Sequence, residues 1–340
     1  RRKRGREYGF MNYGDWFGER RWNWGNCEYD TPWCLALNFM RTGDLEMLWR
    51  ADEAAWHHGD IDVVHHGDVG KVWAHSTGHT GGYFPREWKG MGSFNLGASG
   101  WGHTWCRGHF ALWALTGEER YYENGVIVAD RIARTATNFD FNSERDGGWR
   151  LLSMMGAYQF TGNPVYLNAA KLMADVAVWK QHPERGLWGH FIYECRRFGH
   201  FPPHWGAKPF MTGILLHGLK LYDLEQPRDD VKRAIIRCCD FLWRECYIPE
   251  DNGFIYAQCS AYWDKGSTWT ICLVGDGLAY GCLIDPEHRH KEELIRAVAG
   301  NIYESGVSGF GKSFSQATCF YPYMLHDLIE LGVTDVEPAE

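Results

Sequence analysis

Three stretches of the chain gather residues that can move protons or hold charge. "DVVHHGDVGKVWAHSTGHTGGYFPREW", starting at Asp62, sets His65, His66, His75, His79, Tyr83 and Arg86 among glycines. Imidazole and phenol can take up and return a proton, and glycine lets the backbone approach a ligand closely. "GWGHTWCRGHF" spaces His103 and Arg107 four apart, so a helix starting there would carry both on one face. A cation beside an imidazole suits an anionic ligand, and the competing use of Arg107 is a buried pair with a carboxylate of a neighbouring helix. "WGNCEYDTPW" crowds Glu28, Tyr29 and Asp30 against Thr31 and Pro32, which read as N-cap and first residue of a helix. Helix-end electrostatics is the plain use of those two carboxylates, and facing a cavity is the functional one.

Two chemistries fit such groups. Elimination from a uronic acid needs a base for the weakly acidic C5 proton, an acid for the leaving oxygen, and cations or amides to neutralise the sugar carboxylate. His79 and Tyr83 are the candidates for proton transfer, with His66 in the same loop. His103 and Arg107 are the candidates for holding the carboxylate. Hydrolysis instead needs two carboxylates flanking the glycosidic bond. Asp15, Glu19, Glu28 and Asp30 come from a single entry segment, which favours elimination, although Glu87, Asp146, Glu194 or Asp264 on an opposite wall would complete a pair. Trp16, Glu28, Tyr29, Asp30, Trp101, Trp149, His204, Trp205 and Tyr256 are the candidate sugar contacts, with Lys208 and Tyr262 close by. A third reading, a domain that grips acidic glycan without altering it, predicts aromatics without titratable groups. No cofactor is expected. A divalent ion on His75, His79, Asp62 and Asp68 is the minor alternative, and without a CxxC pair or HExxH the chain has no zinc signature.

The elements that must position these groups are legible from short turns. "RTGDLEML", "LTGEERYY", "FTGNPVYL", "EQPRDDVK" and "DPEHRHKE" each join two helical stretches, with Gly closing one helix or Pro near the start of the next. The first member of each hairpin is apolar nearly all round, as in "FMTGILLHGLKLY" and "ICLVGDGLAYGCLI". The second carries a polar stripe, as in "RDDVKRAIIRCCDFLWREC". The first kind belongs inside and the second outside. The stretch from Gln316 to Leu331 reads as a sixth inner helix whose outer mate is cut short. Pairs of this kind closing on themselves predict an all-α, (α/α)6 toroid with an incomplete last pair, and an open superhelix is the alternative. The long returns, Asp62 to Gly102, His182 to His204 and Cys246 to Ser267, are expected at the end where the inner helices begin, and that end is the predicted site.

Bulk properties narrow the partners. The 340 residues are 45% hydrophobic and 23% charged, which is enough to bury a core, and 16% aromatic, more than packing requires. A formal charge of -8 excludes the basic surface that nucleic acid demands. No apolar run is long enough to span a bilayer, so a membrane is not an expected partner. Residues 1–7 read as a basic arm, 8–331 as one catalytic domain and 332–340 as a tail. The eleven cysteines sit largely in apolar runs and read as buried free thiols. No signal peptide is legible, so the chain is expected to be either cytoplasmic or the mature form of a secreted or periplasmic protein. Oligomeric state is not legible.

"YGDWFGERRWNWGNCEYDTPW", "HSTGHTGG" and "GHTWCRGHFALWALTG" resemble the helical toroid domain of the rhamnogalacturonan exolyase-like (YetA-like) family. The resemblance covers roughly residues 8 to 331. It implies a toroid fold and a role in breaking down acidic plant and algal polysaccharides, rhamnogalacturonan and ulvan among them. Larger members carry β-rich domains beside the toroid.

Overall fold

The computed structural model of the chain describes residues 15, 25, 27–72, 100–193, 195, 199–259, 265–304 and 311–336. Among them are eleven α-helices: α1 Thr31–Thr42, α2 Leu45–His57, α3 Arg107–Thr116, α4 Glu119–Arg134, α5 Glu144–Thr161, α6 Pro164–Lys180, α7 Pro209–Glu225, α8 Asp229–Glu245, α9 Ile271–Ile284, α10 Lys291–Glu304 and α11 Gly311–Glu330. Among the described residues the strands form two ribbons, β1 His190–Phe191 with β2 Trp205–Gly206, and β3 Tyr247–Ile248 with β4 Gly253–Phe254. No helix among the described residues is long and apolar enough to cross a membrane.

One local device repeats. Thr42, Thr116 and Thr161 end α1, α3 and α5, and each hydroxyl donates back to a carbonyl four residues earlier, at 2.8, 2.7 and 2.6 Å. Each hydroxyl oxygen then accepts from the backbone N–H two residues on, at 3.2, 3.3 and 3.2 Å. The glycine between, Gly43, Gly117 or Gly162, has a φ of 73°, 74° or 67°, which a side chain would oppose. Asp44, Glu118 and Asn163 follow and accept from the first turn of the next helix. The chain therefore reverses within three residues each time, and an apolar helix is followed by its amphipathic mate.

Packing divides the chain into two compact units. One comprises residues 1–137, 152–169 and 308–319, and the other the remainder. In the first, α1 packs on α2 and α3, and the start of α11 lies along α1. Thr31 and Ser315 hydroxyls meet at 2.9 Å, the Cys34 thiol donates to the Ser315 carbonyl at 3.4 Å, and the Asn38 amide donates to Thr318 at 3.5 Å. The first and last inner helices are thus in contact. In the second unit α7 and α9 run so close that a Cβ on Gly213 would lie 2.1 Å from the Leu273 carbonyl oxygen. Polar groups bind the same core: the Lys220 ammonium donates to Asp276 and Asp327, both at 2.6 Å, and the His217 Nδ1 lies 2.5 Å from Asp276.

Candidate functional site

In the first unit, the segment before α1 is tightly wound. Cys27, Tyr29 and Asp30 all have positive φ (51°, 67° and 53°), an uncommon conformation for residues with a side chain. Asp15 holds the turn by accepting the Cys27 N–H at 3.0 Å. Asp30, not Thr31, is the N-cap: its carboxylate accepts from Trp33 N–H at 3.4 Å and from Gly108 N–H, in the first turn of α3, at 3.2 Å. One buried side chain therefore starts two helices. Burial pushes its pKa from 3.8 to about 6, against the Gly108 N–H and the Arg107 guanidinium, which pull it down. Tyr29 is buried as completely, so both candidate sugar contacts lie in the core as folded.

His103 and Arg107 do not share a helix face. His103 belongs to a separate 3-10 turn, Trp101–His103, and extended Thr104 breaks the register before α3 begins at Arg107. Arg107 is buried, with its guanidinium carbon 4.1 Å from the centre of the Trp33 ring and Asp30 close by. His103 stays half-buried and lies 4.0 Å from Glu28, whose other oxygen is 3.1 Å from the Lys312 ammonium at the start of α11. Glu28, His103 and Lys312 form a carboxylate, imidazole and ammonium cluster where three inner helices begin. Lys312 was not a candidate from sequence, because a single lysine ahead of an aromatic helix carries no distinctive spacing.

Histidines at the end of α2 and in the first turn of α3 are buried in the same unit. His58 Nδ1 and His109 Nε2 are 2.9 Å apart, and burial holds His58 well below the usual imidazole range and pushes His109 down to about 3. Both rings are therefore neutral at physiological pH. His57 sits between Asp15 at 3.8 Å and Asp62 at 3.6 Å. Asp62 is thus buried in the core, whereas Asp68 is exposed and paired with Arg131. His66 is exposed on the same excursion, and Trp101 is half-buried with the Arg131 guanidinium 5.7 Å from its ring centre. Trp16, Glu19, His75, His79, Tyr83, Arg86, Glu87, Glu194, Tyr262 and Asp264 lie outside the described residues.

The second unit has a cleft of about 820 Å³ beside the starts of α5 and α7. Its wall is the β1–β2 ribbon, in which Phe191 pairs with Trp205. Phe191, Tyr193 and Trp205 are 50%, 58% and 43% exposed, an apolar surface that packing leaves open. Gly189 makes room for the Trp205 indole, since a Cβ there would lie 2.3 Å from it. At the floor, His190 Nδ1 is 2.8 Å from Glu144, the first residue of α5, and the other Glu144 oxygen accepts from the Thr212 hydroxyl at 3.3 Å. Glu144 is fully buried, so it orients His190 and leaves that ring's second nitrogen for a ligand. Lys208 and Lys180 line the same space. Tyr256, stacked on Phe210 at 5.1 Å, lies 5.9 Å from the Lys208 ammonium. Of the sequence candidates, Trp205 lies in this cleft, whereas Trp149 is packed in the core 6.2 Å from Phe320. Glu144 and His190 went unread: an acidic residue in "NSERDGGW" looks like ordinary helix-start electrostatics, and His190 lies forty-six residues away.

No protein-family model matches the sequence, and no curated protein matches it. Solved structures do. A polysaccharide lyase is 14% identical over 92% of both chains, with a TM-score of 0.61. A D-mannose isomerase is 12% identical over 89% of this chain and 87% of its own, with a TM-score of 0.65. The unsaturated glucuronyl hydrolase of Bacillus sp. GL1 is 14% identical over 95% and 92%, with a TM-score of 0.57. The fold is accordingly the α/α toroid expected from the hairpin repeat, with six inner helices and five outer ones among the described residues. A lyase, an isomerase and a hydrolase share it, so the fold by itself does not choose a reaction.

Proposed function

We propose that the chain is a carbohydrate-active enzyme that cleaves uronic-acid-containing polysaccharide or oligosaccharide by β-elimination. The observation that carries this reading is the second unit's cleft, which an imidazole held by a buried glutamate lines together with two lysines and exposed aromatic side chains. A uronate ring stacks on Trp205 and Phe191, and its carboxylate is neutralised by Lys208, while Lys180 in the same lining is paired with Asp140. The free nitrogen of His190 takes the C5 proton. The electrons of that bond become the C4–C5 double bond, and the C4 oxygen leaves with a proton supplied by His190 or by the Tyr193 phenol. His79, Tyr83, His103 and Arg107 remain proposed participants from the sequence.

The second reading is hydrolysis, supported by the likeness to the glucuronyl hydrolase. It needs two carboxylates across one bond. Asp15 and Asp30 are occupied by backbone N–H groups and Glu28 by Lys312, which weighs against that pair coming from the entry segment. The resemblance to the rhamnogalacturonan exolyase-like family puts rhamnogalacturonan and ulvan first among substrates to try. The test is incubation with these polymers while ultraviolet absorbance and reducing ends are followed together. Elimination raises both, since it creates a conjugated C4–C5 double bond. New reducing ends without absorbance assign hydrolysis, and binding without either product leaves a glycan-binding domain.

A further inference from the structure

We propose that Cys195, His200, His204 and Cys259 form a structural zinc site. One ligand atom from each, two thiol sulfurs and two ring nitrogens, lies within 4.8 Å of all the others. The Cys259 sulfur is 3.5 Å from His200 Nδ1, and the Cys195 sulfur is 3.9 Å from His204 Nδ1. Zinc bonded tetrahedrally to sulfur at about 2.3 Å and nitrogen at about 2.0 Å sets neighbouring ligands about 3.5 Å apart, so small side-chain adjustments complete the site. Both sulfurs are buried against Ile192 and Ala257, which shields the thiolate side of the site, while His200 is half-buried and His204 exposed. Elsewhere in the chain the thiols of Cys27, Cys106 and Cys239 point at backbone carbonyls, whereas these two point at imidazoles.

The backbone prepares the arrangement. His200 N–H donates to the Cys195 carbonyl at 3.2 Å, Ile192 N–H to the His204 carbonyl at 2.8 Å, and Gln258 N–H to the Ala207 carbonyl at 3.1 Å. The last bond joins the segment after β2 to the one after β4. Four protein ligands close the coordination sphere, so the ion has a structural role and leaves no position for substrate. On binding, the two thiols each release a proton to solvent, the imidazoles donate neutral lone pairs, and the two thiolates cancel the charge of the ion. The same ribbon carries Phe191 and Trp205, so the ion pins the aromatic wall of the cleft. Sequence spacing misses the site because Cys259 is far from the other three ligands and no CxxC is present.

Elemental analysis of the purified full-length protein is expected to find one zinc per chain. After the ion is stripped with a chelator under reducing conditions, cobalt is expected to bind in the same ratio. It should give the visible ligand-field bands of a tetrahedral site and near-ultraviolet thiolate-to-metal charge transfer. Cys195→Ser with Cys259→Ser should abolish the charge transfer, and His200→Ala should lower cobalt affinity at least tenfold. The cobalt spectrum of the unaltered protein decides the matter even if the variants misfold. A chain that takes up neither metal with its thiols reduced, or cobalt bound without charge transfer, overturns the proposal. So does a metal-free Cys195–Cys259 disulfide that binds no metal once reduced.

Discussion

Glu144 and His190 meet because a helix start and a ribbon edge are folded against each other, and the buried carboxylate fixes which imidazole nitrogen faces the cleft. Replacing His190 with Ala is expected to lower turnover by about 10² or more, the usual scale for losing a general base. Glu144→Gln should cost less and shift the pH profile, since the ring keeps a partner but loses its charge. His79→Ala and Tyr83→Phe measured in parallel locate the base: if only those collapse turnover, proton transfer belongs to His79 and Tyr83. Asp30 makes a different residue-scale prediction. Its native pKa, about 6, lies above the ordinary 3.8, so between those values the folded state holds more protons than the unfolded one. This group's contribution to stability therefore falls as pH rises from about 4 to about 6, and Asp30→Asn should flatten that part of a urea-midpoint series against pH.

Helix pairs are the next scale, and here close approach is what the chain protects. Gly108 lies where α3 meets the start of α1, and a Cβ there would lie 2.5 Å from both the Pro32 Cβ and the Trp33 nitrogen. Those are rigid or backbone atoms, so the helices must separate. Gly108→Ala is expected to destabilise the fold by about 2 kcal/mol, as overpacking usually does, and to weaken the Asp30 cap on the same turn. Denaturant unfolding with unchanged helical circular dichroism below the transition checks it. The Thr-Gly turns belong to this scale too: each is complete within its own few residues, which is why those three hairpins were legible in the sequence.

Across the whole chain, contacts between residues remote in sequence carry the organisation. Lys220 joins Asp276 and Asp327, and the last partner is 107 residues away. Its ammonium is held charged by both carboxylates despite burial, and the same cation together with His217 holds Asp276 below the ordinary carboxylate range. Lys220→Met leaves two buried carboxylates facing each other, and the expected loss is about 3 to 5 kcal/mol. It is measured as a lower unfolding midpoint at neutral pH that recovers in part in mild acid, where the carboxylates are protonated.

The helical hairpins, their apolar and amphipathic members and the toroid class were determined by the sequence itself, because turn chemistry and helical periodicity act over a few residues. Trp205 was likewise readable as an aromatic beside a helix entrance. Only the tertiary structure decided that His103 and Arg107 part at Thr104, that Asp30 is spent on two helix starts, and that Lys312, Glu144 and His190 join charged clusters. It also decided that two cysteines far apart in the chain face two histidines. Those relations depend on where separate segments are folded together, and nothing in local spacing records that distance.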